Sequence, residues 1–483
     1  MRLITLCVAI SLVSTIADAS SKKIICYFGS WSVYRPGNGQ FDINGIDPTL
    51  CTHLIYSFVG VEGNDIKILD SWSDLPRNLD GFGKFVSLRK KNPSLKIMIA
   101  VGGWNAGSVP FSKMASNQAQ REAFAKNAVK FLEQYQFDGL DIDWEYPAQR
   151  GGVKADVKNF VKLAAALKKA FAPHGYILST AVAAPESSVS QSYDIIGMSQ
   201  YFDFINLMEY DFHGYWDGHT GMNAPLFASS SDSGNELKLN IEASVNYWVK
   251  NGAPREKLIL GIPTYGKSFT LSNPRNKGVG APSNVKGTAG PYTREPGILG
   301  YNEICEIFKA GGWKIYQDNE RGVPYAVKGN QWVSFDDIPA IKAKAEFIKQ
   351  ERLGGAMIWS IETDDFKGIC GEKYPILKAL NSVLGSEISK NSNLRVWKKK
   401  QNKFTTSTPT TTSFVEDLPE TLKESDRSSG NGECTFVGQF IINPSNCGFF
   451  VCDHDGIGGF RKIPGACPAG LCFNPTYQRC DWK

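Results

Sequence analysis

Eight short apolar, β-rich runs recur along the first three-quarters of the chain, and their recurrence limits the architecture more than any other feature. They are KIICYF (23–28), HLIYSFVG (53–60), KIMIAVGG (96–103), GLDIDWEY (139–146), YILSTAV (176–182), FINLMEY (204–210), LILGIPTY (258–265) and GAMIWS (355–360). Stretches of helical period separate several of them, such as NQAQREAFAKNAVKFLEQYQF (117–137) and DVKNFVKLAAALKKAFA (156–172). Strand alternating with helix means a parallel sheet, and eight such units predict an α/β fold, a closed (β/α)8 TIM barrel. An open doubly wound sheet is the rival, but nothing resembles its Gly-rich phosphate turn. The gap between the seventh and eighth runs is too long for one helix. Residues about 268–337 hold Gly, Pro and aromatics in strand-like pieces and predict an α+β insertion between strand 7 and helix 7.

The barrel does not account for all 483 residues. Residues 1–19 read as a secretory signal: Arg2, then the apolar LITLCVAISLVSTIA, then the small residues Ala17 to Ala19 around a cleavage site. That run is short for a bilayer span. The barrel domain is expected over 20–388. Residues 389–432, with TTSTPTTTS and SDRSSGNG, form a Ser/Thr/Pro-rich linker that cannot bury a core. Residues 433–483 crowd six cysteines (Cys434, Cys447, Cys452, Cys467, Cys472, Cys480) into a small disulfide-rich β domain. Zinc is disfavoured there, because His454 alone accompanies them. Four more cysteines, Cys26, Cys51, Cys305 and Cys370, fall in the barrel. This usage points to an extracellular, secreted protein. A formal charge of +5 argues against a nucleic-acid partner and a polybasic membrane anchor, and a monomer is expected.

In a barrel of this kind, chemistry sits at the C-terminal ends of the strands. The fourth run carries Asp141, Asp143 and Glu145 at two-residue spacing, so all three face one side. Neighbouring carboxylates raise one another's pKa, and a raised pKa supplies the protonated acid that glycoside cleavage needs. A Ca²⁺ or Mg²⁺ site is the other reading. No His joins the row, and its surroundings favour sugar, so neither metal nor cofactor is expected. Aromatics gather at the ends of other strands: Tyr27 and Trp31, Trp104, Tyr210 and Trp216, Tyr265, and Trp359. Sugar rings stack on aromatic planes and bond through polar edges, which an aromatic cleft with a few polar groups serves.

These residues resemble the chitinases of glycoside hydrolase family 18. DGLDIDWE (138–145) fits the family signature D-G-x-D-x-D-x-E throughout. YGKSF, MEYDFHG, the Gly pair after the third strand and GGAMIWS resemble family segments on matching strands. The resemblance spans roughly residues 23 to 388. It implies that Glu145 is general acid and then base. It implies that Asp143 shares a proton with Asp141, turns toward Glu145 and orients the substrate's N-acetyl group, with Asp138 supporting the network. No protein nucleophile is implied, because in this family the substrate assists. Tyr210 and Asp211 would hold the acetamido group, Met208 would line the pocket, and Trp359 would form its floor. Trp31 and Trp104 would bind sugars on either side, and Trp216 would line the leaving-group side. Tyr27, Phe58, Gly102, Gly103, Tyr265 and Lys267 complete the implied substrate-binding set. Lys267 stands where many relatives have Arg, Met222 where His is common, and Glu362 where Asp is frequent. The resemblance also suggests bonds Cys26–Cys51 and Cys305–Cys370.

The last fifty residues resemble a peritrophin-type chitin-binding domain, on NCGFFVC and CPAGLCFNPTYQRCDW. Pairings Cys447–Cys472, Cys434–Cys452 and Cys467–Cys480 are inferred there, out of fifteen that six cysteines allow. The expected activity is that of a secreted endochitinase acting on chitin polymer and chito-oligosaccharides. The alternatives are a chitin-binding lectin on the same fold and an endoglycosidase of N-glycans. Retention of Glu145 disfavours the lectin, and the aromatic row favours a long homopolymer.

Overall fold

The computed structural model describes residues 22–385, together with the backbone of five short strands between Phe440 and Trp482. Eight parallel strands close into a barrel: β1 Lys23–Gly29, β2 His53–Glu62, β3 Lys96–Gly102, β4 Gly139–Asp143, β5 Ile177–Ala183, β6 Phe204–Met208, β7 Leu258–Pro263 and β8 Gly355–Trp359. Each pairs with the next in sequence, and β1 pairs with both β2 and β8, which closes the ring. The alternation read from sequence is realised as two cores. Ile25, Tyr27, Ile55, Met98, Ala100, Ile259 and Met357 fill the lumen. Their neighbours Ile24, Cys26, Phe28, Leu54 and Ile99 pack outward against helices.

The outer helices form where the periodic stretches predicted them. α1 (Gln118–Tyr135) is capped by Asn117, whose side chain accepts the Gln120 N–H, and it ends at Gln136 in the left-handed conformation. Its buried stripe is Phe124, Ala125, Ala128, Phe131 and Leu132. Burial of each large side chain there contributes about 1.5–3 kcal/mol. α2 (Asp156–Phe171), α3 (Ile241–Lys250), α4 (Ile338–Gln350) and α5 (Pro375–Leu384) likewise bury one apolar face. Among the described residues, no helix is long and apolar enough to cross a membrane.

The insertion begins earlier than expected. Thr264 leaves the barrel, and Tyr265–Thr270 is already a strand of a separate antiparallel sheet, paired with Ile298–Gly300 and Gln331–Ser334. Strands Val323–Lys328 and Lys314–Asp318 extend that sheet, and a helix spans Tyr301–Lys309. Asp336 and Lys344, both buried, form an ion pair that ties the exit from this sheet to α4. Disulfides join Cys26 to Cys51 and Cys305 to Cys370. The C-terminal strands form a three-stranded antiparallel sheet, Phe440–Ile442, Phe449–His454 and Phe460–Gly465, and a hairpin, Leu471–Asn474 with Arg479–Trp482. The expected signal, the expected linker and the inferred cysteine pairing of residues 433–483 lie outside the described residues and side chains.

Candidate active site

β4 carries Asp141 and Asp143 on its lumenal face, alternating with Leu140 and Ile142 in the outer core. Asp141 is fully buried and well bonded. Its Oδ2 accepts the Tyr27 hydroxyl at 2.7 Å, and its Oδ1 accepts the Ser179 hydroxyl at 2.6 Å and the Asn206 amide at 3.3 Å. Burial pushes its pKa up to about 6, and those three donors hold it from rising further. Asp143 has less support: its Oδ1 is buried with no hydrogen-bond partner among the described residues. Burial first, then the charges of Glu145 and Asp141, push its pKa well above the carboxylate range. Glu145 lies just past the strand end and is 9% exposed. Burial raises its pKa to about 7, against the lowering influence of Tyr146 and Arg150. A carboxyl with that pKa is protonated in a large fraction of molecules near neutrality, as a proton donor requires.

β6 continues into Tyr210 and Asp211. Asp211 has a positive φ of 57°, and its backbone N–H donates to the Asn223 side-chain oxygen at 3.0 Å. Its carboxylate accepts the Tyr265 hydroxyl and pairs with Lys267 Nζ at 3.0 Å. The Lys267 ammonium also lies 5.4 Å over the Trp216 ring. Around β8, Trp359 meets Tyr27 edge-on at 5.5 Å and is flanked by Phe58 at 5.7 Å and Trp31 at 6.2 Å. Trp31, Trp104 and Trp216 are 40%, 59% and 55% exposed, so each has ring surface free to meet a ligand. The structure thus unites, at one end of one barrel, a buried acid row and exposed aromatic planes.

The sequence profile of glycosyl hydrolases family 18 matches residues 23–364. The chain belongs to this family. Chitotriosidase-1 of Mus musculus is 36% identical over 479 residues, covering 96% of each chain. A group IV chitinase of Ostrinia furnacalis, solved in complex with allosamidin, superposes with a TM-score of 0.74 at 44% identity, over 75% of this chain and 99% of that one. Human YKL-39, a pseudo-chitinase with retained chitooligosaccharide binding, superposes at 0.71 with 40% identity, over 76% of this chain and 100% of its own.

Within this family 18 barrel, several of the expected residues occupy distinctive positions. Asp138 does not join the acid row. It precedes β4, at the opposite end of the strand, and its carboxylate accepts the Ile97 N–H at 2.7 Å and pairs with Arg89 at 2.9 Å. Its three-residue offset from Asp141 puts it out of register with the lumenal face. Gly102 and Gly103 have positive φ and are needed for close approach. A Cβ on Gly102 would fall 2.1 Å from the Asp143 carbonyl oxygen, and one on Gly103 would fall 2.7 Å from the Phe58 ring. Tyr265 and Lys267 arrive from the first strand of the insertion, not from β7.

Other residues of the site were not singled out from sequence. Ser179 on β5 and Asn206 on β6 both reach Asp141, and Asn206 also bonds the Tyr27 hydroxyl at 3.0 Å. A signal existed: Asn206, Met208 and Tyr210 share one two-residue register. Arg150 donates to the Glu145 carbonyl at 3.0 Å, and its guanidinium carbon lies 3.5 Å from the Trp104 ring centroid. No local pattern marks it.

Proposed function

We propose that this glycoside hydrolase is a secreted endochitinase that cleaves β-1,4 bonds between N-acetylglucosamine units with retention of configuration. The observation that carries the reading is the row of three buried carboxyls, with Glu145 held at a pKa of about 7 beside exposed aromatic planes. Glu145 gives its proton to the leaving glycosidic oxygen. The carbonyl oxygen of the substrate's own acetamido group attacks the anomeric carbon as that bond breaks, forming an oxazolinium ion. Asp143, whose Oδ1 has no hydrogen-bond partner among the described residues, turns to accept the acetamido N–H. Tyr210 and Asp211 hold the same group from the β6 side. Glu145, now a carboxylate, takes a proton from the water that opens the ring of the intermediate. Asp141, locked by three donors, stays in place as the neighbouring charge.

A chitin-binding lectin is the second reading, favoured by the likeness to YKL-39. The presence of Glu145 weighs against it. A product profile on chitin hexamer separates the two. Wild type is expected to release shorter oligomers with retained anomeric configuration. Glu145→Gln, which cannot donate an acid proton, should lose at least roughly 10²–10⁴-fold of that rate. An inactive wild type or an active variant overturns the assignment.

A further inference from the structure

Glu362 lies three residues past Trp359, and its side chain is fully buried. One carboxylate oxygen accepts the Gly29 N–H at 3.1 Å. The other accepts the Ser360 hydroxyl at 2.5 Å and faces Arg35 Nη2 at 3.8 Å. Arg35 also donates to the Glu362 carbonyl at 3.4 Å. Gly29 and Arg35 are the two ends of one short 3₁₀ turn, Ser30–Tyr34, whose N-terminal end has no side-chain cap of its own. That turn carries Trp31. One carboxylate, arriving from the end of β8, therefore grips both ends of the turn that follows β1.

Gly29 is also a point of contact. A Cβ there would fall 2.6 Å from Glu362 Oε1 and 2.8 Å from the Trp31 ring. Carboxylate and indole both press against the same bare Cα. Trp31 is held in turn against Phe58, nearly parallel at 13°, and against Trp359 at 6.2 Å. We propose that Glu362 is a positioning residue: by clasping both ends of the Ser30–Tyr34 turn it sets Trp31 beside Trp359, and so governs recognition of long β-linked N-acetylhexosamine chains. This rests on the reading of Trp31 and Trp359 as sugar platforms. Bond cleavage at Glu145 does not depend on the clasp. A short substrate that ends over Trp359 engages fewer aromatic planes than a hexamer and so depends less on where Trp31 lies.

The test compares wild type, Glu362→Gln, Gly29→Ala and Trp31→Ala on chitin hexamer and on a chromogenic N-acetylglucosamine disaccharide. Gln keeps the volume but leaves Arg35 without its counter-charge, and Ala at 29 pushes the carboxylate and the indole apart from the other side. For all three variants the hexamer KM should rise roughly five- to tenfold; for Glu362→Gln and Gly29→Ala kcat should hold within about twofold. For Glu362→Gln and Gly29→Ala the disaccharide KM should move by less than about twofold, because that substrate depends little on Trp31. A mere folding defect lowers kcat on both substrates alike, through the active fraction. That outcome, or a hexamer KM moved by Trp31→Ala but by neither Glu362→Gln nor Gly29→Ala, overturns the proposal. A wild type that cleaves neither substrate overturns the chitinase reading instead.

Discussion

Glu145 can donate a proton near neutrality because burial disfavours its charged form more than Tyr146 and Arg150 favour it. The sign of the pH dependence follows. The protonated fraction falls as pH rises through about 7, so kcat/KM on a chito-oligosaccharide should decline along an alkaline limb centred there. Arg150 is a nearby cation that lowers this pKa, so Arg150→Ala should move the limb to higher pH. A limb that stays in place in a pH–rate profile would show that the Arg150 charge does not reach Glu145. At this scale the acid row was legible in sequence, because two-residue spacing on a strand puts Asp141, Asp143 and Glu145 on one face. Ser179, Asn206 and Arg150 were not, because each acts through a partner 38 or more residues away or through a loop conformation.

Elements arrange these side chains, and here sequence and structure part more often. The eight strands were legible as apolar runs, since a strand buried on both faces must be apolar on both. The end of β7 was not. LILGIPTYGKSF reads on as one β-rich stretch in which Pro263 is the one hint of a break, yet the barrel strand ends there and Tyr265 enters another sheet. Which sheet a β-rich residue joins depends on partner strands far along the chain, Ile298–Gly300 and Gln331–Ser334. The return to the barrel relies on Asp336 and Lys344, an ion pair with Lys344 fully buried. Removing one partner leaves the other charge buried and uncompensated, so Lys344→Met should destabilise the protein by about 3–5 kcal/mol. Denaturant unfolding of variant and wild type checks this, and equal midpoints would show that the pair is not needed for stability.

For the whole molecule, the linker and small C-terminal domain are expected to act by tethering. A second binding module joined to a catalytic one raises the local concentration of a solid substrate without altering the chemistry. Truncation after about residue 390 should therefore leave turnover of soluble oligomers within about twofold and weaken attack on insoluble chitin by roughly 10-fold or more. Equal losses on both substrates would count against the tether. The sequence by itself determined the barrel and the acid row, because each follows from local periodicity. Only the tertiary structure decided that Asp138 stands apart, that Tyr265 and Lys267 come from the insertion, and that Glu362 clasps the turn bearing Trp31. Those outcomes depend on which distant segments meet, and Glu362 meets Gly29 across 333 residues of chain. No local pattern encodes such a contact, since the partners share only the closed ring of strands.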